Sequence, residues 1–131
     1  MSELNMSKSS ASKALVVLSW LVPVGVMAQA ALAGQAWFID PELFGLHGGI
    51  GHGVVGLSVI LAVWSWLQRI SIPGAAMASL AVIALLGQTG MGYAGHRSGI
   101  AAASSLHIPL GVAILGLTVA AAVTFTLASR R

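Results

Sequence analysis

Four stretches of this chain contain no Asp, Glu, Lys or Arg: Ala14–Ile39, Leu43–Gln68, Ile70–Gly95 and Ser98–Ser129. Each is longer than the ~20 residues an α-helix needs to cross the hydrocarbon core of a bilayer. Lipid offers no water to peptide groups, so a spanning chain must be a helix or part of a closed barrel. Barrel strands alternate polar and apolar residues over segments of about ten. Runs such as SLAVIALLG (residues 79–87) do not alternate. Only 7% of the residues are charged, against roughly 25% in a soluble domain, too few to cover a globule with polar surface. The expected fold is all-α, an integral membrane four-helix bundle. Its helices should lie at about 14–37, 41–68, 73–93 and 104–128 in a single transmembrane domain, 14–131, preceded by a polar cytoplasmic tail, 1–13.

The few charges orient this bundle. Lys8, Lys13, Arg69, Arg130 and Arg131 fall on one side of a four-span arrangement, and Asp40, Glu42 and Arg97 on the other. The excess of Lys and Arg marks the first side as cytoplasmic, so both termini are expected there. A signal peptide is a competing reading of the first run, because two lysines precede it and AQA and ALA resemble cleavage sites. The run is long for such a segment and takes part in an internal repeat, so it is expected to stay as helix one, kinked at Pro23. The pI near 10.3 rests on six basic residues spread between membrane ends and implies no nucleic-acid partner. Absence of cysteine excludes disulfides, thiolate metal sites and haem attachment through CxxCH.

The repeat concerns a histidine. Leu46–Val59 reads LHGGIGHGVVGLSV and Leu106–Val119 reads LHIPLGVAILGLTV, with six of fourteen positions identical. The preceding helices carry Gln29 and Gln88, each followed by small residues. The chain therefore reads as two helical hairpins of the same orientation, related by an axis along the membrane normal. Such a repeat puts helices two and four opposite each other, with His47 and His107 at one depth near the outer face.

At about 100° per residue, Gly51 lies one turn below His47 on the same face, and Gly111 repeats this below His107. A glycine there leaves room for a flat macrocycle, and two such faces could grip haem iron through two imidazoles. Interfacial histidines bonded to water and headgroups are the competing reading. His52 is about 140° around from His47 and aligns with Val112, so it is expected to bond a neighbouring helix, serve a second cofactor or exchange protons with a quinone. Gln29 and Gln88 could tie helices together or bond an axial imidazole. Arg97 could clamp a haem propionate or be a solvated loop residue, and His96 is open in the same way. Three carboxylates, all at loops or the terminus, leave no acid pair, no hard-metal cage and no Ser-His-Asp arrangement inside the bundle.

AQAALAG in helix one, LHGGIGH opening helix two, the Gln of helix three and LHIPLG opening helix four make the chain resemble a family of small bacterial four-helix membrane proteins. It is also similar to one half of a haem A synthase, through LGQTGMG and LHIPLGV. That resemblance implies a cytochrome b-like bundle in the bacterial inner membrane, with His47 and His107 as axial haem ligands. The synthase has a second four-helix unit and an acid just before its helix-two histidine; here Phe44, Gly45 and Leu46 stand in that place. Haem binding is therefore what the likeness carries.

The expected function is electron transfer by a multi-pass protein holding haem b, rather than stand-alone catalysis. Its partners would be the lipid bilayer, quinone or quinol, and further subunits of a respiratory or photosynthetic complex or a second copy of itself. The alternative is a cofactor-free or chlorophyll-binding structural or assembly subunit of a membrane complex.

Overall fold

The computed structural model describes the backbone of residues 2–130 and the side chains of residues 12–130. It is all-helical. Four helices follow one another, α1 (Ser2–Phe38), α2 (Leu43–Gln68), α3 (Ile72–Ser98) and α4 (Ala101–Ala128). All four are long and apolar enough to cross a membrane. Short connections make sequential helices antiparallel neighbours, and α4 closes the ring against α1. The backbones of α2 and α4 never approach within 8 Å, nor do those of α1 and α3, so each of these pairs lies on a diagonal. One end of the bundle, here the histidine end, carries Asp40, Glu42 and Arg97. The other carries Lys13, Arg69 and Arg130. Lys8 and Arg131 lie outside the described side chains.

Helix ends follow local chemistry. The Asp40 carboxylate accepts the Glu42 N–H at 3.0 Å and turns the chain into α2. Ser71 caps α3 by accepting the Gly74 N–H at 3.1 Å, with Pro73 in the first turn, where a missing N–H costs nothing. Gly99, at φ 66°, stops α3, and the Ile100 N–H closes the turn on the Ala94 carbonyl at 3.1 Å. Two boundaries differ from expectation. The loop expected between about 93 and 104 shrinks to Gly99 and Ile100, because an αL glycine reverses the chain at once and AAASS is good helix-forming sequence. Residues 2–13, within the expected polar tail, are helical and form the first turns of α1.

The interior has two halves. Apart from Ala36, every buried apolar side chain among the described residues lies between the middle of the bundle and the end opposite the histidines. There Leu15, Val22, Leu61, Ala78, Ala121 and Phe125 form one cluster, and Val54, Leu85 and Ile114 cap it at mid-depth. Lipid provides no hydrophobic drive between helices, so contact depends on close fit and on satisfied polar groups. Ser58 and Ser65 accordingly give their hydroxyls to carbonyls of their own helix, Val54 and Ala62, both at 2.8 Å.

Burial is matched between α2 and α4. The buried residues of α2 are Val54, Ser58, Leu61, Ala62 and Ser65. Those of α4 are Ile114, Thr118, Ala121, Ala122 and Phe125, each sixty positions later. The seams match too. Trp20 Nε1 donates to Thr126 Oγ1 at 3.1 Å between α1 and α4, and Trp66 Nε1 donates to Ser79 Oγ at 3.0 Å between α2 and α3. Ser79 stands at the repeat position of Trp20 and Thr126 at that of Trp66, so equivalent seams hold one bond with donor and acceptor exchanged.

Gly74 shows how tight the apolar half is, since a Cβ there would sit 2.7 Å from the Phe125 ring. Gly74→Ala should destabilise the bundle by about 1–3 kcal/mol through overpacking. Gly56→Ala, which meets nothing within 4 Å, should be neutral or stabilising by roughly 0.5–1 kcal/mol. Thermal unfolding in detergent distinguishes the two.

Candidate functional site

His47 lies on the second turn of α2, and its Nδ1 is 3.1 Å from the main-chain oxygen of Gln29 on α1. His107, on the second turn of α4, has its Nδ1 3.0 Å from the main-chain oxygen of Gln88 on α3. A carbonyl oxygen can only accept, so Nδ1 carries the proton in both rings and Nε2 keeps its lone pair. The same bond is thus made twice, once within each hairpin. The two imidazoles come from diagonal helices, yet their ring centroids are 6.4 Å apart, with planes inclined at 62°. Both side chains are half-buried. No protein-family model, curated protein or solved structure matches the chain. Its function has to be read from this geometry.

The glutamines hold the histidines through their main chains rather than their amides. The amides occupy the notches left by the glycines: a Cβ on Gly51 would lie 3.1 Å from Gln29 Oε1, and one on Gly111 would lie 3.1 Å from Gln88 Nε2. Room one turn below each histidine, which the sequence assigns to a macrocycle, is therefore taken by an amide of the adjacent helix. Gln88 Nε2 also donates to the His107 carbonyl at 2.8 Å. Gln29 Nε2 and Gln88 Oε1 are buried and have no protein partner. The interior beneath the histidines thus holds one amide donor and one amide acceptor without a protein partner.

The remaining candidates lie around this centre. His52 is exposed on α2; its Nδ1–H donates to the Gly48 carbonyl at 2.7 Å, and its Nε2 accepts from the Tyr93 hydroxyl of α3 at 3.1 Å. It does not join the histidine pair. Arg97 lies with its guanidinium 4.8 Å from the centroid of the Tyr93 ring. His96 stacks on Phe44 of α2 at 5.0 Å, and Trp37 meets the same Phe44 edge-on at 6.2 Å. Among the described residues no three His, Asp or Glu side chains cluster as a metal site.

Two further residues, Tyr93 and Gly92, contribute to the site. Tyr93 is the chain's one tyrosine, at the end of α3 that faces His52, and its uniqueness is the signal that could have found it. Gly92 would place a Cβ 3.1 Å from Cε1 of His107; it lies one turn beyond Gln88, on the face that meets α4. Nitrogen NMR of the cofactor-free protein should find both His47 and His107 as the Nδ1–H tautomer, His107 keeping it in Gln88→Ala because the main-chain acceptor remains. An Nε2–H majority would contradict this geometry.

Proposed function

We propose that this protein is a membrane-embedded b-type cytochrome that carries electrons. Its four helices insert in the bacterial cytoplasmic membrane with both termini cytoplasmic, and they arose as two copies of one hairpin. A single non-covalent haem b is held between α2 and α4, with His47 and His107 as axial ligands. The observation that carries this reading is the meeting of two imidazoles, each with Nδ1 bound to a carbonyl and Nε2 free. Two imidazoles on opposite sides of one metal, with metal–nitrogen bonds of about 2 Å, have ring centres roughly 6 Å apart. These rings are 6.4 Å apart.

The donor set fits the group. With two imidazoles and no third ligand nearby among the described residues, a metal held here must bring its other ligands with it, as a porphyrin does. Haem supplies a one-electron couple whose potential responds to its axial ligands and surroundings. The chain's part is positioning. The Gln29 and Gln88 carbonyls orient the rings and raise the basicity of Nε2. The histidine half of the bundle buries almost no side chain of its own, while the packed apolar half below holds the four helices at fixed spacing. Arg97 and His96, at this end, have the chemistry to pair with propionates.

A chlorophyll-type pigment takes one axial imidazole, so two converging rings favour iron. Two rings anchored alike at Nδ1, with centroids 6.4 Å apart, favour a ligand-holding role over a cofactor-free packing subunit. The likeness to half of a haem A synthase supports haem binding and, given the residues before His47, not synthase chemistry.

Protein purified in detergent should be red or take up added haemin in a one-to-one ratio, with a Soret band that shifts on reduction. His47→Ala and His107→Ala should each abolish the six-coordinate spectrum, and His52→Ala should keep it. A colourless protein that takes up no haemin would overturn the proposal.

A further inference from the structure

Equivalent positions of the two hairpins differ sharply at one place. His52 of α2 corresponds to Val112 of α4, and Tyr93 of α3 to Gly34 of α1. The α2–α3 seam therefore holds a histidine–tyrosine pair where the α1–α4 seam, at the same depth, holds a valine and a glycine. Nothing lies within 4 Å of a Cβ built on Gly34. The α1–α4 seam closes without such a pair, so packing does not demand one at α2–α3. Depth makes the difference sharper. His52 lies nine residues into α2, roughly 13 Å along its axis, and remains exposed, as does Tyr93. Ionisable side chains at such depth carry a cost and mark functional paths.

We propose that the His52–Tyr93 pair, flanked by Arg97, binds the head group of a membrane-soluble quinol or quinone. The site opens sideways, towards lipid, so its ligand must be apolar enough to arrive through the bilayer. It presents an acceptor, His52 Nε2, whose other nitrogen is committed to Gly48 O. It also presents the Tyr93 hydroxyl, which can donate as well as accept. A quinol hydroxyl can donate to either group, and a quinone carbonyl can accept from Tyr93. Phospholipid head groups stay at the surface above this depth. The choice of a redox-active head group rests on the electron-transfer reading; the polar site itself does not.

The test uses the full chain in lipid nanodiscs, a short-tailed azido-quinone as photoreactive probe, and decylubiquinone as competitor. Labelling should map to α2 and α3 around His52 and Tyr93 and disappear with excess competitor. His52→Val, which installs the residue of the other hairpin, and Tyr93→Phe should each lower it roughly tenfold, as expected for one hydrogen bond lost in a low-dielectric site. Gly56→Ala, where an added Cβ meets nothing within 4 Å, should leave it unchanged. Labelling spread equally over the α1–α4 seam, or undiminished in both seam variants with unaltered thermal unfolding, would overturn the proposal. Competed labelling at this seam in a protein that takes up no haem would uphold the site while overturning the electron-transfer reading.

Discussion

A neutral histidine held away from water must place its one ring N–H on a protein acceptor. In this bundle the acceptor is a main-chain carbonyl on the preceding helix, Gln29 O for His47 and Gln88 O for His107. That one bond has three consequences. It ties the two helices of each hairpin together at the end where apolar packing is sparse. It fixes the tautomer and leaves Nε2 with its lone pair. It also demands a close approach of the helices, which glycines permit: a Cβ on Gly51 would press on the Gln29 amide, and one on Gly92 on the His107 ring.

Division of labour between the two halves of the bundle follows. In the half away from the histidines, aliphatic side chains and Phe125 fill the interior, and buried hydroxyls bond their own helices. That half needs no ligand to be complete. In the histidine half, glutamine amides lie in glycine notches, with one buried donor and one buried acceptor unmatched. Each unmatched group costs about 1–3 kcal/mol.

The helices were legible because charge is excluded from lipid, and uncharged runs of this length suit a bilayer far better than they suit water. The histidine pair was legible because a repeat brings equivalent residues to equivalent depths. The ring contacts were not. Gln29 and Gln88 reach the rings through a carbonyl that any residue could supply, while the Gln88 amide ties α3 to α4 through the His107 carbonyl, as its place in mid-helix suggests. The early start of α4 was hidden by Gly99, which reads as loop until its positive φ is seen to end one helix and begin the next within two residues. Tyr93 escaped notice for the opposite reason: it has no counterpart in the other hairpin, and a repeat draws attention to what is kept.

Under the proposed duplication, symmetry decides where a ligand for the histidines can sit. A two-fold axis along the bundle relates His47 to His107, so the two rings offer the axis the same atom, with the same Nδ1 bond behind it. Departures from the symmetry then belong to whatever approaches from one side. His52, Tyr93 and Arg97 face Val112, Gly34 and Phe38 in the repeat, and they gather on a single seam. A centre built by duplication and a side entrance built by divergence are what an electron carrier with one lipid-soluble partner would need.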